Sequence, residues 1–289
     1  MRIYKYMRAL NSAQSNPTEC KISQKLISLI QGAQVYFSHP ASFNDPLECT
    51  IPYEFIQRGK RRAPDAVLIK EILEAQHGAQ FLDSERGIRI NEALPFGIPV
   101  ENCIVSCFSK SENNPLMWAH YADNHNGICL TFDFPNDFAN QIGWSQSAIF
   151  NFEEWKLSFK YGNVKYRNVR KPLRFYEGIA RHDYTLDDAI FTKPTCWRYE
   201  KEFRFVLFFP FGGVRAFSPS ADVSDMYFSF PRSWLREITF GIRLPSKTCN
   251  QIIRYCTEAG YSDIAFQKAC LLNRSFNIGH IPYSQDDFK

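Results

Sequence analysis

Trp197-Arg198-Tyr199-Glu200-Lys201-Glu202-Phe203-Arg204, continued by Phe205-Val206-Leu207-Phe208, is the stretch that says most about how this chain folds. From Glu202 to Phe208 it is aromatic and β-branched almost without interruption, which predicts a buried strand. At strand spacing Glu200 and Glu202 point one way and Tyr199, Lys201 and Phe203 the other. Two carboxylates on one face repel, which raises at least one of their pKa values. That arrangement suits orienting a sugar hydroxyl or accepting a proton. The alternative is structural: Glu200 or Glu202 pairs with Arg204 or another arginine.

Outward from this strand the chain keeps the same style. Aromatic residues make up 16%, with 26 Phe and 14 Tyr, which argues for a strand-rich core. Ile3–Tyr6, 34–38, Ile104–Phe108, 128–132, a segment near 164–166, 235–240 and 264–266 read as further strands. Helices are expected over 22–30, stopping at Gly32; from Asn114-Pro115 to Tyr121; after Pro172 towards Ile190; and over 246–258 with Ser246 as N-cap. Asp123-Asn124-His125-Asn126-Gly127 reads as a turn, and His39–Pro46, with two prolines and an Asn-Asp pair, as a loop. Strands and helices do not alternate strictly, so the expected class is α+β: one domain over 1–289, with a mixed, largely antiparallel strand core and interspersed helices. Residues 54–100, with a helix from Pro64 to about Gln76, form an irregular excursion.

Composition narrows the function classes. A net charge of +4 permits an anionic partner without requiring one. The basic runs Arg58-Lys60-Arg61-Arg62 and Lys165-Arg167-Arg170-Lys171-Arg174 read first as solvated faces or loops. Nine cysteines, an odd count scattered through apolar runs, fit reduced core residues in a reducing compartment. Cys103 and Cys107 share a strand face, but no second pair completes a zinc motif, so no metal is expected. No leader-like segment and no long apolar run is found, so a cytoplasmic location without a membrane is expected. The glycine-rich phosphate loop, the dinucleotide fingerprint, the zinc-protease His-Glu-x-x-His and the serine-hydrolase elbow are all absent.

Four polar constellations remain. On Tyr4-Lys5-Tyr6 the two tyrosines share one strand face and Lys5 takes the other; the tyrosines also suit a core. Phe43-Asn44-Asp45-Pro46-Leu47-Glu48 displays three polar side chains on a rigid turn, which Asn44 and Asp45 also serve by themselves. Ser106 and Ser109 precede Met117-Trp118-Ala119-His120-Tyr121, where His120 and Tyr121 end a short helix as a catalytic or orienting pair, or as structural residues. The fourth is Trp197–Arg204; Trp118 and Trp197 are expected in the core.

Together these motifs resemble a bacterial family catalogued as domain of unknown function 2971. They are Tyr4-Lys5-Tyr6, Phe37–Glu48, Ser106–Ser109, Asn114–Tyr121, Gly127–Asp133 and Trp197–Arg204. The resemblance spans about residues 3–243. The order of an aromatic-basic first strand, a helix, a Ser-x-x-Ser strand running into a helix, and a late Glu-x-Glu is also similar to ADP-ribosyltransferases that modify nucleic acid. That likeness implies NAD as substrate, held near Tyr4, Lys5 or Tyr6 with Asn44 at the site. Ser106, His120 and Tyr121 would line the pocket, and Glu202 or Glu200 would stabilise an oxocarbenium-like transition state. It implies a nucleic-acid or protein acceptor, a role as a toxin or anti-phage effector, and an antitoxin partner. The first strand departs from that pattern: no Arg or His stands at the usual place, and Arg2 and Arg8 flank it. Two other readings stay open: a metal-independent nuclease or glycosidase using Glu200, Glu202 and His120, and a non-catalytic binding module.

Overall fold

In a computed structural model eight strands, β1 (Arg2–Met7), β2 (Cys103–Ser109), β3 (Ile128–Asp133), β4 (Ser158–Asn163), β5 (Glu202–Phe208), β6 (Leu235–Phe240), β7 (Ala265–Leu271) and β8 (Ile278–Pro282), hydrogen-bond into one sheet. Their order across it is β8-β7-β6-β3-β1-β2-β5-β4. The structure describes residues 1–11, 21–45, 47–51, 53–56, 98–99, 103–140, 143–145, 158–170, 173–176, 179–181, 186–208 and 227–284. Within the sheet β6 and β7 run parallel. The other neighbours are antiparallel. This is the mixed, largely antiparallel α+β architecture expected from the sequence. Among the described residues no helix is long and apolar enough to cross a membrane.

Alternation along the strands divides the core between the two faces. Ile3, Ile104, Phe108, Phe203, Phe205 and Leu207 pack with α1 (Gln24–Gly32) and α4 (Ser246–Glu258) through Leu26, Leu29, Ile252 and Cys256. The opposite face carries Tyr4, Tyr6 and Cys129 against Met117 and Trp118 of α2 (Pro115–Tyr121). It also carries Cys103, Val105, Val206 and Phe208 against Ala189 and Ile190 of α3 (Leu186–Ile190). Trp118 is a core residue, as expected, and its ring meets Tyr6 edge-on at 5.3 Å.

Several local expectations are corrected. The helix expected after Pro172 is instead a strand pair, Leu173–Tyr176 with Ile179–Arg181, and among the described residues of that span helix forms only over α3. Leu173–Tyr176 also pairs in parallel with Tyr53–Ile56, a partner far away in sequence that overrides the local pattern. α1 includes Gly32, and the left-handed residue that ends it is Ala33 (φ 48°). Pro245, not Ser246, occupies the N-cap of α4. The last strand predicted over 264–266 extends to Leu271, and β8 follows it. The expected helix 64–76 and the basic run 58–62 lie outside the described residues.

One irregularity shapes the middle of the sheet. β1 and β2 meet in register at a single position, Tyr4 opposite Ser109. Beyond it Ser38 exchanges both backbone hydrogen bonds with Val105, at 2.8 Å each, and so takes the place beside β2 that β1 would otherwise fill. The two strands therefore part over Lys5–Met7.

Candidate functional site

A cavity of about 610 Å³ lies where β1 and β2 part, a size that suits a small-molecule site. Tyr4, Lys5 and Tyr6 line it from β1, and Ser106 from β2. His120 and Tyr121 line it from α2, Asn44 from the loop after residue 40, and Glu200 and Glu202 from the approach to β5. All nine candidate residues named from the sequence are thus brought to one concave surface, although they come from five separate segments.

At one end lysines gather. The Lys5 ammonium crosses the gap to Ser106 Oγ (3.1 Å) and the Cys107 carbonyl (3.0 Å). It also lies 4.6 Å from the Phe108 ring centre. Lys25 sits 3.9 Å over the Tyr36 ring. Burial lowers the Lys5 pKa. Burial raises that of the Tyr36 phenol, but the ammoniums of Lys5 and Lys25 outweigh it and leave Tyr36 below its usual range.

The other end is acidic, and its geometry differs from the strand register expected. Pro194 starts a 3-10 helix over Thr195–Glu200, and Lys201 then takes a left-handed conformation (φ 44°) before β5 begins. That turn, not alternation, aims both Glu200 and Glu202 inward while Lys201 stays exposed and Phe203 enters the core. Glu200 is 2% exposed, Glu202 4% and Arg204 0%. Lys193 Nζ lies 2.7 Å from Glu200, 3.2 Å from Glu202 and 3.2 Å from Glu48. Arg204 donates to Glu202 through Nε (2.6 Å) and Nη2 (3.0 Å), and also pairs with Glu48. The structural ion pair weighed from the sequence is therefore present, inside a five-membered cluster whose carboxylates still face the cavity.

The cluster is braced on every side. Tyr121 donates its hydroxyl proton to Glu200 Oε1. Ser109 Oγ donates to the Glu200 carbonyl at 2.6 Å, and the Glu202 amide donates to the Tyr166 hydroxyl at 2.8 Å. Asn114 caps α2 by accepting from the Leu116 amide, and donates to the Tyr199 carbonyl at 3.1 Å, so α2 and the 3-10 segment are tied together. His120 Nδ1 is then 2.8 Å from the Tyr199 hydroxyl. Asp45 accepts from the Leu47 amide, the turn role foreseen for it, and also from the Trp197 indole at 2.9 Å. Asn44 stays exposed at the rim.

Charge counting gives the cluster its chemistry. Glu48, Glu200 and Glu202 face two cations, Lys193 and Arg204, leaving one excess negative charge in a buried setting. Burial first, then Glu200, pushes Glu202 up to about 7 despite Lys193. Burial would lower the Lys193 ammonium, but Glu202 and Glu200 more than reverse that and hold it above the lysine range. Glu202 can thus hold or release a proton near neutrality.

The sign of the resulting pH effect is fixed. The folded carboxyl titrates near 7, against an ordinary value of 4.5, so the folded state keeps a proton the unfolded chain has released. That stabilisation is full below about 4.5 and is lost as pH rises through about 7. The parent's melting temperature should therefore fall relative to Glu202→Gln between pH 5 and 7.5. Parallel melting curves across that range would mean Glu202 is ionised throughout.

Sequence reasoning missed Lys193, because Thr192-Lys193-Pro194 reads as a polar loop. Its one signal is that it is the single charged residue in the run from Ala189 to Trp197. Trp197, expected in the core, is half-buried and lines the cavity. Glu48, at the end of the Phe43–Glu48 turn, carries no sequence signal of its own; its burial beside Arg204 places it in the cluster.

The motif pattern spans about residues 3–243, and part of that span, from α2 to the start of β5, matches a family model. No curated protein and no solved structure matches the chain. Residues 117–205, which carry His120, Tyr121, Lys193, Glu200 and Glu202, match the family described as Protein of unknown function (DUF2971).

Proposed function

We propose that this cavity binds NAD and transfers its ADP-ribosyl group to a nucleophile on nucleic acid or protein. The observation that carries the reading is the polarity of the cavity: Lys5 and Lys25 at one end, an excess carboxylate among Glu48, Glu200 and Glu202 at the other. NAD has the matching polarity, an anionic diphosphate and a cationic nicotinamide ring. Trp197, Tyr36 and Phe43 offer aromatic faces to its planar rings.

In this reading the bond between nicotinamide nitrogen and ribose C1′ breaks, and its electron pair leaves with neutral nicotinamide. Positive charge develops on the ribose beside Glu202 and Glu200, whose fixed carboxylates favour it without rearranging. The acceptor's oxygen or nitrogen then bonds to C1′, and Glu202 takes the proton it gives up. Tyr121 and Lys193 hold Glu200 in place, while Tyr199 orients His120. A role as a toxin or anti-phage effector restrained by an antitoxin belongs to the same proposal.

The test is thermal denaturation with and without NAD, followed by incubation with labelled NAD and mixed nucleic acid or lysate. At a hundredfold excess over Kd, NAD should stabilise the fold by about 2.7 kcal/mol. Label should pass to a macromolecule. No shift and no transfer from folded protein would overturn the reading. Cleavage of nucleic acid or glycan indifferent to NAD would replace it with acid–base hydrolysis by His120 and the carboxylates. A shift without turnover would leave a binding module.

A further inference from the structure

On the α2 side of the sheet, three side chains from distant parts of the chain converge outside the cluster just described. Glu112 follows β2, Glu237 lies on β6 and His280 on β8. Each offers one ligand atom, and the three atoms lie within 4.8 Å of one another.

Their positions are held by contacts that need no ligand. The Glu112 carbonyl accepts from the Trp118 indole at 3.3 Å. The Asn113 carbonyl accepts from the Ile278 amide at 2.9 Å, which ties the turn to β8. Thr239 Oγ1 donates to Glu237 Oε1 at 3.2 Å, a bracing bond of the kind that orients ligating carboxylates. His280 stands opposite Ala269 in the β7–β8 ladder. All three residues are partly exposed, so an ion has a way in.

A second observation points to a ligand. His280 Nε2 is shielded from solvent and has no hydrogen-bond partner among the described residues. Leaving a buried polar atom without a partner is unfavourable. Two carboxylates brought this close also repel. A cation between the three groups would offset that repulsion and engage the imidazole.

We propose that Glu112, Glu237 and His280 bind a divalent first-row transition ion of the zinc class. An imidazole nitrogen with two carboxylate oxygens fits such an ion better than magnesium or calcium, which prefer all-oxygen shells. Three protein ligands leave a position for water. The ion would fasten the turn after β2 to β6 and β8. Through the Tyr4 phenol, which neighbours Glu112, it would also stiffen the wall of the cavity. Searches for zinc motifs are blind to this set because its members are scattered along the chain.

The test titrates chelator-treated full-length protein with Zn²⁺ by calorimetry, in parallel with Mg²⁺, and repeats this on His280→Ala and Glu237→Gln. One zinc site is expected, with Mg²⁺ bound far more weakly. Either substitution should weaken zinc by about tenfold or more. Zinc should raise the melting temperature of the parent and not of the variants. Should His280→Ala fail to fold, Glu112→Gln in the partly exposed turn carries the same test. A parent that binds no zinc would overturn the proposal. So would variants that bind it as tightly as the parent, which would place the metal elsewhere. Equal binding of Mg²⁺ would overturn the choice of ion.

Discussion

Lys193→Met is expected to lower the free energy of unfolding by about 3–5 kcal/mol at pH 8, measured by urea denaturation. The Lys193 ammonium touches Glu48, Glu200 and Glu202, and its side chain is 5% exposed. Removing it leaves three buried carboxylates facing Arg204 alone, so the excess negative charge grows from one to two. Methionine fills the space but pairs with nothing. The loss should shrink as pH falls towards 5, because Glu202, which titrates near 7 in the parent, then takes up a proton. A second substitution separates charge from packing: Glu48→Gln together with Lys193→Met restores the parent's excess of one and should recover part of the loss. Non-additivity of this kind between touching residues is typically 0.5–3 kcal/mol. A loss below about 1 kcal/mol, unchanged with pH, would mean the cluster is solvated and the charge count irrelevant.

Much of what positions this cluster could be read from short-range pattern. Tyr4 and Tyr6 share a face opposite Lys5 because alternation over six residues leaves no other choice. α2 was legible because Asn114 and Pro115 announce a helix start and Met117 and Trp118 supply its buried side. Motif spacing brought the nine candidate residues forward. What stayed hidden depends on partners far away in sequence. Lys193 looks like a loop residue until Glu48, Glu200 and Glu202 surround it. The left-handed turn at Lys201 has no glycine or asparagine to mark it, so strand alternation, carried back to Tyr199, runs three residues too far. Leu173-Arg174-Phe175-Tyr176 fits a helix or a strand by itself, and Tyr53–Ile56 decides between them. The parting of β1 from β2 is equally non-local: it follows from Ser38 claiming the backbone of Val105. Local sequence thus specified which residues would be polar and inward, and tertiary pairing specified which of them meet.

Glu202→Gln should reduce transfer by roughly 10²–10³-fold, on the scale of removing one fixed group that stabilises transition-state charge. At pH 5, where the folded parent already holds a proton on Glu202, stability should move by only about 1 kcal/mol, within the range of ordinary substitutions. The reason is again charge: without Glu202 the cluster holds Glu48 and Glu200 against Lys193 and Arg204, and is neutral. The glutamine oxygen can still accept from Arg204. Glu200→Gln leaves the same balance, so stability cannot distinguish the two, whereas pH dependence can. In the parent, transfer should rise with pH through about 7 as Glu202 ionises. Glu200 helps hold Glu202 up, so Glu200→Gln should move that midpoint to lower pH while lowering the rate less. NAD should still shift the melting temperature of both variants, since the lysine end of the cavity is untouched. The measurements are single-turnover transfer from labelled NAD at several pH values, with melting curves on the same preparations. If Glu202→Gln transfers label as fast as the parent, the carboxyl is a structural member of the ion cluster. The transition-state role then passes to Glu200 or is absent.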